Sequence, residues 1–197
     1  MTKSKSKKSK RVRMATGLLG IMAVFSGVTF DVGKKCGAVE RWDVKVLTDD
    51  KVENIHFHAK NTTIDSLTKQ IETPGTGMKT ERIAGIEDQV YRLRNVKILR
   101  ARGEEDDDIH LVLEDAHHNT MIAEIPYCEC KEAKNSGYYE KYRKTRIMFL
   151  KHKNDFRNML WDMTGVAFVD VHHGTPQDGV ANNNIELHPL LSLHPSN

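Results

Sequence analysis

After residue 89 the chain carries one long alternating apolar run and two shorter ones in hairpin succession, then a basic helical stretch and two final alternating runs. This order predicts a mainly β (α+β) domain: a five-stranded OB-like barrel with a helix between its third and fourth strands. The first run also changes phase. Tyr91 and Leu93 share one parity and Val96 and Ile98 the other, so a bulge or sharp coil is expected, as in a strand that serves both halves of a barrel. An open α+β sheet is the alternative, because element order alone does not close a barrel.

Ahead of the barrel, Glu40 to Leu47 alternates with Trp42, Val44 and Val46 on one side, which predicts an N-terminal strand at a sheet edge. A polar stretch leads to a short helix: Thr62 or Thr63 supplies the cap, Asp65 an early acid, and Ile64, Leu67 and Ile71 an i, i+3, i+7 stripe. Pro74, Gly75 and Gly77 end it in a loop. The barrel strands are expected over Val90 to Arg100, Ile109 to Leu113 and Thr120 to Ile125, where Pro126 stops the third. Glu104 to Asp108 reads as a solvated hairpin tip, since this acidic run lacks the glycine and terminal glutamate of a calcium loop. Asn135 or Ser136 caps a helix from about Tyr138 to His152, and Gly165 to Val171 and Ile185 to Leu191 complete the barrel.

The length of 197 residues suits one globular domain, residues 36–194, behind a tail. Thirty Lys and Arg against 27 Asp and Glu give +3, but seven of the basic residues lie in the first 13. Residues 27–197 then hold 30 − 7 = 23 basic and 27 acidic side chains, a balance of −4. A generally cationic nucleic-acid binder is disfavoured, because the positive charge belongs to the tail. Hydrophobic content of 39% with 29% charged residues excludes a polytopic membrane protein and a wholly disordered chain.

Residues 1–26 predict a signal peptide: Lys3 through Arg13 form a basic n-region, Met14 to Phe30 is uncharged and mainly apolar, and Val24 and Ser26 stand at −3 and −1 of a cleavage site. The alternative is an uncleaved signal anchor, the only membrane contact expected. Export to the periplasm or beyond makes a disulfide the economical use of an odd set of cysteines, with Cys36 bridged to Cys128 or Cys130 across 92 or 94 sequence steps. A metal site on the Cys128-Glu129-Cys130 pair lacks a second pair at the usual spacing.

The segment Ile185-Glu186-Leu187-His188-Pro189 carries the most chemistry. On a strand, Glu186 and His188 share one face while Ile185 and Leu187 enter the other. His110 does the same in its strand, with Asp108 and Glu114 on its side, and Glu124 shares a face with Ile122. Asp170, His172 and His173 follow the fourth strand. Imidazoles and carboxylates so gathered suit zinc or another divalent ion with an open water position; without metal they form a hydrogen-bond network in which a carboxylate orients an imidazole. Residues 131–157 hold nine Lys and Arg against Glu132, Glu140 and Asp155, a local +6 that suits an anionic polymer or simply a solvated face. No Gly-rich phosphate loop, nucleophile elbow, HExxH helix or zinc-finger spacing is present.

Five blocks resemble small exported bacterial proteins of uncharacterised function. They are CGAVERWDVK (36–45), DIHLVL (108–113), TMIAEIP (120–126), GVAFVDVHHG (165–174) and GVANNNIELHP (179–189). His173 rather than His172 falls on the family's histidine. Gln177 falls on its glutamine after an insertion of Thr175 and Pro176, and Asn183 on its asparagine. Asn182 and Asn184 replace a proline and a glycine; Asn184 tolerates φ > 0 better than most residues. The resemblance implies an exported domain with a polar site near the last two strands, and no particular activity. The residues then lead to two expectations. One is a pocket in which His110, His173 and His188 hold a divalent metal, Glu124 or Glu186 acts as general base, and Asp170, Gln177 and Asn183 assist in binding, for hydrolysis of a phosphodiester-type bond. The other is a non-catalytic module for an oligosaccharide, oligonucleotide or cell-envelope partner, or a purely structural envelope component.

Overall fold

The computed structural model of the chain describes residue 36 and residues 41–73, 81–104, 107–171 and 179–196. Its sheet has six strands: β1 (His56–Asn61), β2 (Gln89–Gly103), β3 (Ile109–Glu114), β4 (Thr120–Ile125), β5 (Trp161–Val169) and β6 (Ile185–Pro195). The hydrogen-bonded order is β1-β2-β3-β4-β6-β5, and β5 pairs back onto β2, so the last five close into the expected OB-like barrel. Closure depends on β2. Its register shifts between Leu93 and Val96 as it bonds β5, and again between Ile98 and Arg100 as it bonds β3, with Asn95 at φ 53°. The phase change in the sequence is thus a pair of bulges that lets one strand serve both partners.

Ile109, Leu111, Leu113, Met121, Ala123, Ile125, Ile185 and Leu187 all enter one interior cluster with Leu93, Ile98 and Trp161. Helices plug the barrel. In α2 (Ile64–Gln70), Thr63 caps by accepting the Ser66 N–H at 3.1 Å, and Ile64 and Leu67 enter the interior. α3 (Lys131–Asn135) and α4 (Tyr139–Lys151) follow β4, and Phe149 of α4 meets Phe156 beside Trp161, whose indole N–H donates to the Phe156 carbonyl at 2.9 Å. No helix among the described residues is long and apolar enough to cross a membrane.

The strand expected over Glu40 to Leu47 is corrected. Residues Trp42–Lys45 form a helical turn, α1, with the Lys45 and Val46 N–H groups donating to the Arg41 and Trp42 carbonyls at 3.0 Å. Trp42 and Val46 are four apart, so one helical turn buries them as readily as an extended strand does. Arg41 and Leu47, both with positive φ, bracket the turn and preclude an extended path. The N-terminal strand is instead β1, parallel to β2, in which two residues alone, Phe57 and Ala59, alternate with exposed His56, His58 and Lys60.

Buried ion pairs hold α1 down. Arg41 donates to both oxygens of Glu87 at 3.0 and 2.9 Å, and Glu87 also accepts the N–H groups of Ile83 and Val169. Arg82 makes the same kind of pair with Asp49. The Cys36–Cys130 disulfide ties the start of this segment to α3, while Cys128, buried nearby, is the free thiol.

Candidate functional site

The polar residues alternate with the core residues and point away from the barrel interior. They are nonetheless buried, because α1 lies over them: Arg41 and Lys45 stand 4.1 and 5.4 Å from the Phe168 ring centre, and Phe168 in turn packs on His188. Register brings the groups together. His110 is the cross-strand partner of Glu124, Ile122 lies opposite Glu186, and Phe168 lies opposite Glu186 from the other side.

The outcome is a chain of alternating acids and imidazoles. His188, with 0% exposure, has Nε2 3.3 Å from Asp108 Oδ2 and Nδ1 2.9 Å from Glu124 Oε2 and 3.2 Å from Glu186 Oε1. The other oxygen of Glu124 stands 2.9 Å from His110 Nδ1, which lies 3.1 Å from Glu104 Oε1. Glu124 is therefore the hub, one oxygen on each imidazole. The chain runs from Asp108, fully buried, to Glu104, whose side chain is 30% exposed and also bonds Arg102.

Charge follows from this geometry. Burial opposes a charge on His188, but the Glu124 carboxylate and contacts with Asp108, Glu124 and Glu186 hold its pKa well above the usual histidine range. Burial likewise opposes His110, and Glu104 and Glu124 overcome it, raising its pKa to about 9. Glu124, against burial, is held well below the usual carboxylate range by His188, His110 and Lys45. Glu186 goes the other way: burial and the Glu124 charge push it up to about 7. Lys45 stays protonated although buried, since Glu124, Glu186, Asp170 and Asp108 surround it.

Asp108 and Glu104 correct the expectation of a solvated hairpin tip, for both turn inward; Asp108 was legible by sharing the parity of His110, whereas Glu104 was read as part of the solvated run alone. Lys45 carried no such signal, because nothing local in its sequence places it over strands far along the chain. Asp170 lies within electrostatic reach of Lys45 and Glu186. Asn183 is elsewhere: its amide donates to the Leu67 and Ile71 carbonyls at 2.8 and 2.9 Å, tying the end of α2 to the start of β6. Asn184, which tolerates a positive φ better than most residues, has one, at 55°. His172, His173 and Gln177 lie outside the described residues.

Two donor sets have ligand atoms all within 4.8 Å of one another: Glu104, His110 and Glu124, half-exposed at one end, and Asp108, Glu124 and His188, sealed. One imidazole nitrogen and carboxylate oxygens suit zinc or manganese. No family model and no curated protein matches the chain, so the chemistry of the site is taken from its own donor atoms.

The raised groups set a pH dependence for the metal-free protein. His110 has an ordinary pKa of about 6.5, so its stabilising protonation is complete below that value and is lost as pH rises through about 9. Glu186 has the same sign, its contribution being lost as pH rises from about 4.3 through about 7. The depressed Glu124 and Glu104 act oppositely, and their contribution disappears on acidification below the ordinary carboxylate range. Thermal unfolding in chelator is expected to show maximal stability near pH 5 to 6 and a steady fall toward pH 9. A midpoint that rises over that range would contradict the raised imidazole and carboxyl.

Proposed function

We propose that the protein is an exported OB-like domain that binds a divalent cation through Glu104, His110 and Glu124 and hydrolyses a phosphodiester-type bond at the half-exposed end of the chain of acids and imidazoles. One observation carries this reading: two carboxylate oxygens, from Glu104 and Glu124, stand 3.1 and 2.9 Å from a single imidazole nitrogen, His110 Nδ1. A lone N–H serves two acceptors poorly, whereas a cation in place of the proton takes all three donors and leaves positions for water and substrate.

Bound metal would supply Lewis acidity toward a phosphoryl oxygen and a more acidic water. The other residues have roles around it. His188 Nδ1 is held by Glu124 and Glu186, while Nε2 faces Asp108 Oδ2 at 3.3 Å without a hydrogen bond, and through Nδ1 the imidazole orients Glu124. Glu186, buried and paired with His188 Nδ1, is a positioning residue for that imidazole. Export is supported by the basic, then apolar, amino terminus and by the Cys36–Cys130 disulfide; the resemblance to small exported bacterial proteins agrees with it.

Elemental analysis and thermal shift test the metal. Zinc or manganese is expected to bind at one per chain and, at a hundredfold excess over its Kd, to stabilise by about 2.7 kcal/mol. The shift is larger at pH 8.5 than at pH 6, because the cation displaces the His110 proton. His110→Ala abolishes both binding and cleavage of bis(p-nitrophenyl) phosphate. A protein that takes up no cation and has the same stability with and without it favours the non-catalytic binding module instead.

A further inference from the structure

Four large apolar side chains stand well out of the described surface: Leu99, Ile147, Leu150 and Leu160, each between 38 and 53% exposed. They gather along one stretch of chain. Ile147 and Leu150 are three apart on α4, on the side away from Tyr142, Thr145 and Phe149, which the helix buries. The chain then turns, with the Lys153 N–H on the Leu150 carbonyl, and reaches Arg157, whose Nε donates to the Leu99 carbonyl of β2 at 2.9 Å. Leu160 follows three residues later, at the entry to β5.

The same stretch concentrates positive charge. Residues 144–157 hold five Lys and Arg against one acid, Asp155, in a domain whose balance is −4. Arg146 turns onto the carbonyls of Asp107, Ile125 and Pro126, but Lys144, Lys151 and Lys153 are exposed and form no salt bridge among the described residues. Lys144 and Lys151 flank Ile147 on its own side of the helix. Ammonium groups on long apolar stems around exposed aliphatic side chains suit a bilayer interface, where the aliphatic groups enter the acyl boundary and the lysines reach anionic head groups. A single-stranded nucleic acid asks instead for outward ring faces, and both phenylalanines of the stretch, Phe149 and Phe156, are buried.

We infer that the outer face of α4, continued through residues 151–160 to Leu99, docks on a bilayer of anionic phospholipid. Ile147 and Leu150 enter the interface, and Lys144, Lys151 and Lys153 meet the phosphates around them. This membrane contact is additional to any made by the amino-terminal segment and independent of a cation in the acid and imidazole cluster.

A nitrobenzoxadiazole label on Ile147→Cys of the full chain tests it, since the label reads this face whatever the basic amino terminus does. Cys128 is buried, so the introduced thiol is the reactive one. The reference label sits on His117→Cys, exposed in the turn at the far end of the β3–β4 hairpin from the Ile125 and Pro126 carbonyls that Arg146 holds. With vesicles of equimolar phosphatidylglycerol and phosphatidylcholine, the label at 147 is expected to shift to the blue and lose its quenching by iodide, while the label at 117 stays open. Phosphatidylcholine alone leaves both unchanged. Lys144→Glu/Lys151→Glu is expected to raise the lipid concentration at half effect by about 25-fold or more, about fivefold for each lysine. Equal quenching at 147 with and without vesicles, shielding of both labels alike, or a response that the double variant keeps would overturn the inference. So would shielding at 147 by a single-stranded oligonucleotide where the vesicles have no effect.

Discussion

Glu124→Gln is expected to lower stability by about 3 to 5 kcal/mol at neutral pH, the range for removing one partner from a buried charged cluster. The amide keeps the size of the side chain and removes its charge, so packing is nearly unchanged. What changes is the balance: His188 and His110 each lose the carboxylate oxygen 2.9 Å away, and Lys45 loses a counter-charge, all beneath α1. The buried imidazoles respond by shedding protons, so the fall in stability between pH 6 and 9 flattens in the variant. Equilibrium urea unfolding at several pH values measures both effects. Glu186→Gln is the control. Since burial and Glu124 already push Glu186 up to about 7, its neutral amide mimics a form the native protein holds at pH 6, and a loss under about 1 kcal/mol is expected there. Equal losses in the two variants would deny Glu124 its place as hub.

The cluster was partly legible because strands impose parity. Glu186 with His188, and His110 with Asp108, are spaced by two, and placing them on one face needs only the strand assignment. The barrel was legible for the same reason, and even the bulges in β2 showed as a phase change. Parity fails where a run is short. Three residues at Trp42, Val44 and Val46 satisfy a helical turn as well as a strand, and β1 offers Phe57 and Ala59 alone on its apolar face, too short an alternation to announce a strand. Parity also says nothing about what covers a face. The outward side of β3, β4 and β6 ordinarily meets water, and an acidic run such as Glu104 to Asp108 then belongs in solvent. Here α1 seals that side, held by Arg41 on Glu87 and by the disulfide, so groups that looked solvated are buried and their charges coupled.

That cover makes the disulfide the second large effect. Cys36→Ser is expected to destabilise the protein by about 4 to 5 kcal/mol in the chain-entropy account, because the bond closes a loop of 94 sequence steps in the unfolded chain. Most of the loss comes from freeing the unfolded state. The native cover retains its own attachments: Arg41 on Glu87, Trp42 and Val46 in a cluster with Tyr142 and Ala133, and Ser136 Oγ donating to the Leu47 carbonyl at 3.2 Å. Stability and site should therefore separate, with affinity for the proposed cation in Cys36→Ser staying within about threefold of the parent while the urea midpoint falls steeply. Cys130→Ser complicates this outcome, since it leaves Cys128 two residues away as a substitute partner for Cys36. Peptide mapping distinguishes a rescued bridge from a lost one. Cys36→Ser has no such substitute and gives the cleaner measurement. Loss of cation affinity in step with stability would mean that the covalent bond itself, rather than the ion pairs and apolar contacts of α1, keeps the acids and imidazoles enclosed.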